Sequence, residues 1–214
     1  MVYQSIIIGS IVLSERETQI TKANNLNYII PILNMIKQKI PLSFEIINAN
    51  KIALSIDNPS NTLLVGILLR SAIKANILNV TSGYKDIKVC LSIDITQDLS
   101  NTQNRIRTDL EILAFMKKKN LYVYTPWKSI NEEFCASIPF LDDVINDWTP
   151  GQAKAIFYSF LNNCKKKDLA HIMGQTSQNA SRLLLLAKEK EIRNLLHRFH
   201  SVISSKISQP KEFS

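Results

Sequence analysis

The chain has 214 residues, of which 45% are apolar, and its formal net charge is +8. This length and apolar content suffice for a packed core, which argues against a disordered or fibrous protein. No window reaches about 18 consecutive apolar residues and the start lacks the basic segment of a signal peptide, so the sequence predicts a cytoplasmic protein without a membrane span.

The first 95 residues predict short strands alternating with amphipathic helices. Apolar runs and period-two alternation indicate the strands, and apolar residues spaced three and four apart indicate the helices. In chain order the elements are a strand over 5–14, a helix over 21–39 that Pro31 kinks or splits, strands over 44–48 and 52–56 joined by a tight turn, a helix over 61–77, and a strand over 86–95.

This order of strand, helix, two strands, helix and strand predicts an α+β fold. It is typical of a palm or ferredoxin-like domain, in which helices cover one face of an antiparallel or mixed sheet. After it come a polar loop over 96–104, a helix over 105–119, the strand LYVYT, and a helix over 129–147 that is interrupted near Pro139.

A domain boundary is predicted at Trp148, giving an α+β domain over 1–148 and a small all-α domain over 149–214. Thr149 and Pro150 form a strong helix start, because a threonine can cap free amides and proline lacks an amide that would need a partner. The first segment has 15 Lys/Arg against 14 Asp/Glu, and the second has 11 against 4. The excess positive charge therefore lies in the second segment and suggests a polyanionic partner there.

The segment KKKDLAHIMGQTSQNASRLLLLAKEKE predicts a helix-turn-helix. A helix over 166–173 is followed by Gly174, which suits a left-handed helix end, and Thr176 can cap the next helix. The small Ala170 permits two helices to cross closely. This combination is the core pattern of the DNA-binding motif.

A helix-turn-helix would present polar residues at the start of its second helix to the major groove and lysines to the phosphates. The predicted DNA-binding residues are Lys165, Lys166, Lys167, Thr176, Ser177, Gln178, Ser181 and Arg182. A helical hairpin used only for packing or dimerisation is the competing interpretation. Leu185 and Leu186 favour it, since they place apolar surface on the same helix.

The remaining patterns predict no metal or disulfide chemistry. A last helix from Ile192 onward could close the small domain or pair with its copy in a homodimer, as DNA readers often do. His197 and His200 have no third ligand nearby. The three cysteines, Cys90, Cys135 and Cys164, are predicted to be buried free thiols.

Four stretches together resemble the SatD-like family of bacterial proteins, and the likeness covers nearly the whole chain in the same order. They read SIIIGSIVLSE, FEIINANKIALSIDNPSNTLLVGILLRSAIKA, NLYVYTPWKSINEEF and INDWTPGQAKAIFYSFL. The resemblance implies a cyclase-like or palm-like domain followed by a helix-turn-helix, in the bacterial cytoplasm. It does not imply a well-defined activity.

The same resemblance implies two carboxylates, one after the glycine of the first strand and one on the hairpin. In cyclases and polymerase palms such a pair holds two divalent ions on a triphosphate. Here Ser10 and Asn50 occupy these positions, and Lys51 follows Asn50. Neutral ligands beside a lysine cannot offset the charge of two magnesium ions, so we expect no catalysis by this route and no cofactor.

The leading prediction is a DNA-binding protein, a transcriptional regulator whose larger domain is a catalytically silent sensor or dimerisation unit. Its partners would be double-stranded DNA, a second copy of the chain, and a nucleotide-like ligand where a lysine meets phosphate. Two alternatives stay open. One is a divergent nucleotide-binding or nucleotidyl-transfer protein with a rearranged site, and the other is a protein–protein interaction scaffold.

Overall fold

The computed structural model describes residues 3–12, 29–48, 51–78, 88–96 and 120–208. The predicted helix over 105–119 and the hairpin turn residues Ala49 and Asn50 lie outside the described residues, as does the start of the predicted helix over 21–39. Within the described part, no helix combines the length and the apolar character needed to cross a bilayer.

A five-stranded mixed sheet forms the centre of the fold. Its strands are β1 (Gln4–Val12), β2 (Leu42–Asn48), β3 (Lys51–Ile56), β4 (Lys88–Thr96) and β5 (Leu121–Tyr124). They lie side by side in the order β2-β3-β1-β4-β5. Among the described strands, the first three neighbouring pairs are antiparallel, and β5 alone runs parallel to its neighbour β4. The first strand of the chain is therefore central, as burial on both of its faces requires.

Helices account for most of the rest of the described chain. The helix over 29–37 is α1, and a 3-10 turn at Pro59–Asn61 precedes α2. The others are α2 (Thr62–Lys74), α3 (Lys128–Phe134), α4 (Ser137–Asp147), α5 (Pro150–Asn162), α6 (Lys166–Met173), α7 (Ser177–Leu186) and α8 (Glu189–Ser208). With the mixed sheet, they make this an α+β protein, as the sequence predicts.

The side chains of strand β1 lie alternately on the two faces of the sheet and pack in two different clusters. Ile7 is fully buried in the main hydrophobic core, whereas Ile6 and Ile8 pack with Ala53 in a small separate cluster. Gly9 lies on the core side, where an added Cβ would come within 3.0 Å of Ile52 Cγ1 and 3.3 Å of Leu91 Cδ2. Glycine at this position therefore lets side chains of β3 and β4 close over the central strand.

The predicted interruption near Pro139 is present, but three residues earlier. Helix α3 ends at Phe134, α4 begins at Ser137, and Cys135 and Ala136 lie between them. Pro139 is the third residue of α4, inside the first turn, where an amide has no partner within the helix. The proline thus belongs to the beginning of the second helix. Pro31 likewise lies inside α1, near the start of its described part.

Apart from the small cluster of Ile6, Ile8 and Ala53, the buried apolar residues described in the sheet layer and in the carboxy-terminal helices form one cluster. It extends from Ile7 on β1 to Phe199 and Ile203 on α8. Helix α2 packs on β4 and also on α5, and α8 contacts the 3-10 turn before α2. The cluster therefore continues across residue 148, and the domain boundary placed there stays a prediction.

A buried ion pair connects α2 with α4. The Arg70 Nη1 donates to Asp142 Oδ1 at 2.5 Å, and both side chains are almost completely buried. The backbone amide of Asn120 donates to Asp142 Oδ2 at 2.7 Å, and Arg70 Nη2 donates to Asn146 Oδ1 at 2.8 Å. Lys74 Nζ also donates to the carbonyl oxygen of Asn146. Two helices and the start of β5 are thereby held together by groups that leave little unsatisfied charge.

We expect Asp142→Ala to destabilise the protein by about 3–5 kcal/mol, because the guanidinium of Arg70 would stay buried without its carboxylate. Replacing both partners, as in Arg70→Met with Asp142→Leu, should recover most of that loss because no buried charge remains. Chemical denaturation measures both. Glu132→Ala, which removes the exposed Lys128–Glu132 pair at 3.7 Å, is the control and should change stability little. An Asp142→Ala variant as stable as the Glu132→Ala control would contradict the prediction.

Candidate functional site

Helix α5 begins at the predicted start. The hydroxyl of Thr149 accepts from the amide of Gln152 at 3.3 Å, and Gln152 Oε1 accepts from the amide of Thr149 at 2.7 Å. This reciprocal arrangement is a capping box, and Pro150 occupies the first helical position. Just before it, Trp148 is buried and its Nε1 donates to the carbonyl of Ala187 at 3.1 Å. The start of α5 is thus attached to the end of α7.

Helices α5, α6 and α7 all contact one another. Leu169, Ala170 and Met173 of α6 are buried, as are Ala180 and Leu184 of α7. These are the residues whose spacing predicted the inward faces. The small side chains of Ala170 and Ala180 allow close approach of the helices. The carboxy-terminal part of the chain therefore contains a packed group of three helices.

The turn between α6 and α7 depends on Gly174. This residue has φ of 63°, which is the left-handed region. The amide of Gly174 donates to the carbonyl of His171 at 3.1 Å, and that of Gln175 donates to the carbonyl of Ala170 at 2.9 Å, so two carbonyls in the last turn of α6 are satisfied. The chain can therefore reverse within Gly174 and Gln175 before α7 is capped.

Thr176 serves as the cap of α7. Its hydroxyl accepts from the amide of Asn179 at 3.2 Å, which satisfies one of the free amides at the helix start. The Asn179 side chain in turn donates to Gln175 Oε1 at 3.0 Å. Of the predicted DNA-binding residues, Thr176 therefore already has a structural role, and its hydroxyl positions the start of the helix.

The other predicted binding residues are accessible to solvent. Lys165, Lys166 and Lys167 are exposed where α6 begins, Ser177, Gln178 and Arg182 are exposed on α7, and Ser181 is half-buried. Gln178, Ser181 and Arg182 are spaced three and four residues apart and share one helix face. Neither these lysines nor Arg182 forms an ion pair within the described part of the chain. Four cationic side chains are thus available to an external anion. The one acidic residue between positions 165 and 182 is Asp168.

Two arginines of α8 are engaged within the protein. Arg193 donates to Glu189 Oε1 at 2.7 Å, lies 4.8 Å from the centre of the Phe160 ring, and donates to Ser159 Oγ at 3.3 Å. Arg198 donates to Glu133 Oε1 at 2.7 Å, and this hydrogen bond raises the pKa of Arg198. The sequence reasoning missed both contacts, although the i, i+4 spacing of Glu189 and Arg193 was a signal for the first.

Leu185 and Leu186 are exposed at the end of α7, with 75% and 52% of their side-chain and backbone surface accessible. The internal packing of the three helices does not use them. Their exposure keeps open the packing or dimerisation interpretation that they suggested from sequence, since large apolar side chains on a surface often contact a partner.

The cysteines that the structure describes are free, but they are not all buried. Cys135 is exposed, which corrects the prediction of a buried thiol, because the break between α3 and α4 brings it to the surface. Cys164 is half-buried and its Sγ donates to the carbonyl of Tyr158 at 3.7 Å. Burial raises the pKa of the Cys164 thiol, so it is less reactive than an ordinary cysteine. Cys90 lies on β4, and its side chain is outside the described part.

The two positions implied for metal-binding carboxylates can be located in part. Ser10 of β1 is the register partner of Lys51 of β3, so the end of the first strand does meet the hairpin. Asn50 lies outside the described residues. Asp94 is buried on β4 opposite Ile6, four residues along β1 from Ser10, and so lies away from the pairing of Ser10 with Lys51. Comparisons of the chain with protein-family models, curated proteins and solved structures gave no match.

We expect Gly174→Ala to destabilise the protein by about 1 kcal/mol, because an alanine at this φ would be strained even though its Cβ would meet no atom within 4 Å. Gly151→Ala is the matched control. Position 151 is helical and a Cβ there would be 3.6 Å from Leu183 Cδ2, an ordinary contact, so this change should stabilise by about 0.5–1 kcal/mol. Thermal denaturation measures the change in stability of both variants. Changes of the same sign would contradict the requirement for glycine at the left-handed position 174.

Proposed function

We propose that the chain binds double-stranded DNA through a helix-turn-helix formed by α6 and α7, and that it acts as a transcriptional regulator. In this arrangement α7 would enter the major groove with its amino-terminal turns, where Ser177, Gln178, Ser181 and Arg182 face outward. Lys165, Lys166 and Lys167 would contact phosphates on one side of the groove. The fold of the sheet layer would be palm-like.

One observation carries this proposal: the outer face of α7 is polar, cationic and uncovered by the described sheet layer. Gln178 can make a bidentate contact with adenine and Arg182 with guanine, which are common modes of base recognition. The phosphate backbone supplies most of the affinity of such complexes through cationic side chains. Gln178 and Arg182 meet the first requirement and the three lysines meet the second, and no described carboxylate forms an ion pair with these four cations.

The palm-like sheet is proposed to be a catalytically silent unit. The adjacent antiparallel order β2-β3-β1-β4 supports the palm-like assignment, since it results from a strand, helix, two strands, helix and strand order with β1 in the middle. Catalytic silence is supported by the pairing of Ser10 with Lys51, where a two-metal site would need carboxylates. The enzyme alternative would then require a site elsewhere in the chain.

The test is binding of the full chain to labelled mixed-sequence duplexes, measured by fluorescence anisotropy at several salt concentrations. We expect Lys166→Ala with Arg182→Ala to weaken binding and to reduce the slope of log affinity against log salt by roughly one unit for each lost phosphate contact. The substitutions touch exposed side chains, so the melting temperature should stay near that of the unaltered protein.

The matched control is Lys37→Ala with Lys128→Ala, which also removes two positive charges, but from exposed positions on α1 and α3. A general effect of net charge would lower affinity equally in both double variants. A site on α6 and α7 predicts a loss in the first variant alone. The absence of binding by the unaltered chain at low salt would refute the proposal.

A further inference from the structure

An apolar groove of about 490 Å³ lies between α4 and the beginning of α8. Phe140 stands at the groove with 67% of its surface exposed, the largest such fraction among the exposed aromatic residues described. Two helices and the residue before each supply the rest of the lining. Ala136, Ser137, Leu141 and Val144 come from α4 and the residue before it, and Lys188, Glu191, Ile192 and Leu195 come from the start of α8 and the residue before it. A phenyl ring from another molecule is of suitable size and character for such a groove.

The two charged residues that line this groove are of opposite sign. Lys188 and Glu191 are both exposed, and neither forms an ion pair with a described residue. The residue types of this surface match those of a second copy, since a cation can meet the anion and the exposed aromatic ring can meet the apolar cleft. When two copies meet about a two-fold axis, each residue i that contacts j on the partner is matched by j contacting i.

Charge also distinguishes this groove from the rest of the carboxy-terminal segment. That segment has 11 Lys/Arg against 4 Asp/Glu, so most pairings of two copies through it would bring like charges together. The groove is charge-balanced, which removes this repulsion locally. An acidic partner would meet Glu191 and a basic one would meet Lys188, whereas a second copy satisfies both.

Lys188, which lines the groove, also has an unusual backbone conformation. Lys188 has φ of 60°, a left-handed conformation in which glycine is favoured, as Gly174 illustrates at the end of α6. A lysine here stabilises the folded chain less than glycine would. Lys188 nevertheless lines the groove, as Glu191 does.

We propose that this groove is the contact between two copies of the chain. Phe140 of each copy enters the groove of the other, and Lys188 of each copy pairs with Glu191 of the other. The proposal goes beyond DNA binding and does not depend on it, because the groove contains none of the residues assigned to the nucleic acid. It assigns a self-association surface that can be measured in the absence of DNA.

Sedimentation velocity over a range of concentrations, without DNA, is the first measurement. We expect the unaltered chain to show a monomer–dimer equilibrium and Phe140→Ser to raise the dimer dissociation constant by more than about tenfold. Ile172→Ser is the matched control, since Ile172 is an exposed apolar residue on α6 that does not line the groove. A chain that stays monomeric at its highest soluble concentration, or one that Phe140→Ser and Ile172→Ser affect equally, overturns the proposal.

Charge exchange tests the two-fold arrangement. Lys188→Glu alone and Glu191→Lys alone should each weaken the dimer, and the double variant should restore it because every pair across the interface is opposite again. Thermal denaturation distinguishes loss of folding from loss of the dimer contact. Lys188→Gly should melt at the same temperature as the unaltered chain or higher, but form a weaker dimer. Failure of the double variant to recover while it melts normally, or growth into species larger than dimers, overturns the two-fold contact.

Discussion

The buried pair of Arg70 and Asp142 is the constraint on which the arrangement of the described chain depends. Two charges removed from water must meet each other in good geometry, since either one alone would cost several kcal/mol. Asp142 can therefore occupy only a position beside α2, and its second oxygen also binds the amide of Asn120 at the start of β5. One side chain thus determines how α4 lies against both α2 and the edge of the sheet.

The position of α4 in turn places the carboxy-terminal helices. Trp148 comes directly after α4 and donates to the carbonyl of Ala187, so the end of α7 is held against the end of α4. Helix α5 packs on α2 at the same time, and Arg193 joins α8 to α5. The three-helix group is therefore positioned relative to the sheet by buried contacts, and α7 keeps its polar face toward solvent.

The sequence predicted the elements well because their signals are local. The strands of the hairpin, the Thr149–Pro150 helix start and the turn at Gly174 each depend on a few neighbouring residues, and all are present. The Arg70–Asp142 pair joins residues 72 positions apart, and nothing in either helix pattern selects that partner. The parallel pairing of β5 with β4 and the continuity of the core past residue 148 were equally hidden, because both result from packing between distant segments.

In the candidate site, too, some features follow from neighbouring residues and others from contacts between distant segments. The spacing of Gln178, Ser181 and Arg182 defines one face of α7, and exposure of that face required only that Ala180 and Leu184 be buried on the other. Whether Leu185 and Leu186 would be covered could not be read from the helix itself, since that depends on what packs against its last turn. The structure leaves both exposed.

The exposed leucines and the polar residues of α7 need not compete for one role. The helix has ten residues, with Ser177 and Gln178 in the first turn and Leu185 and Leu186 in the last. A recognition helix contacts base edges with its amino-terminal residues, while its carboxy-terminal end leaves the groove. Apolar surface at that end would therefore lie away from the bases, next to Lys188, where the chain turns into α8. A single helix can thus present its beginning to a nucleic acid and its end to a protein surface.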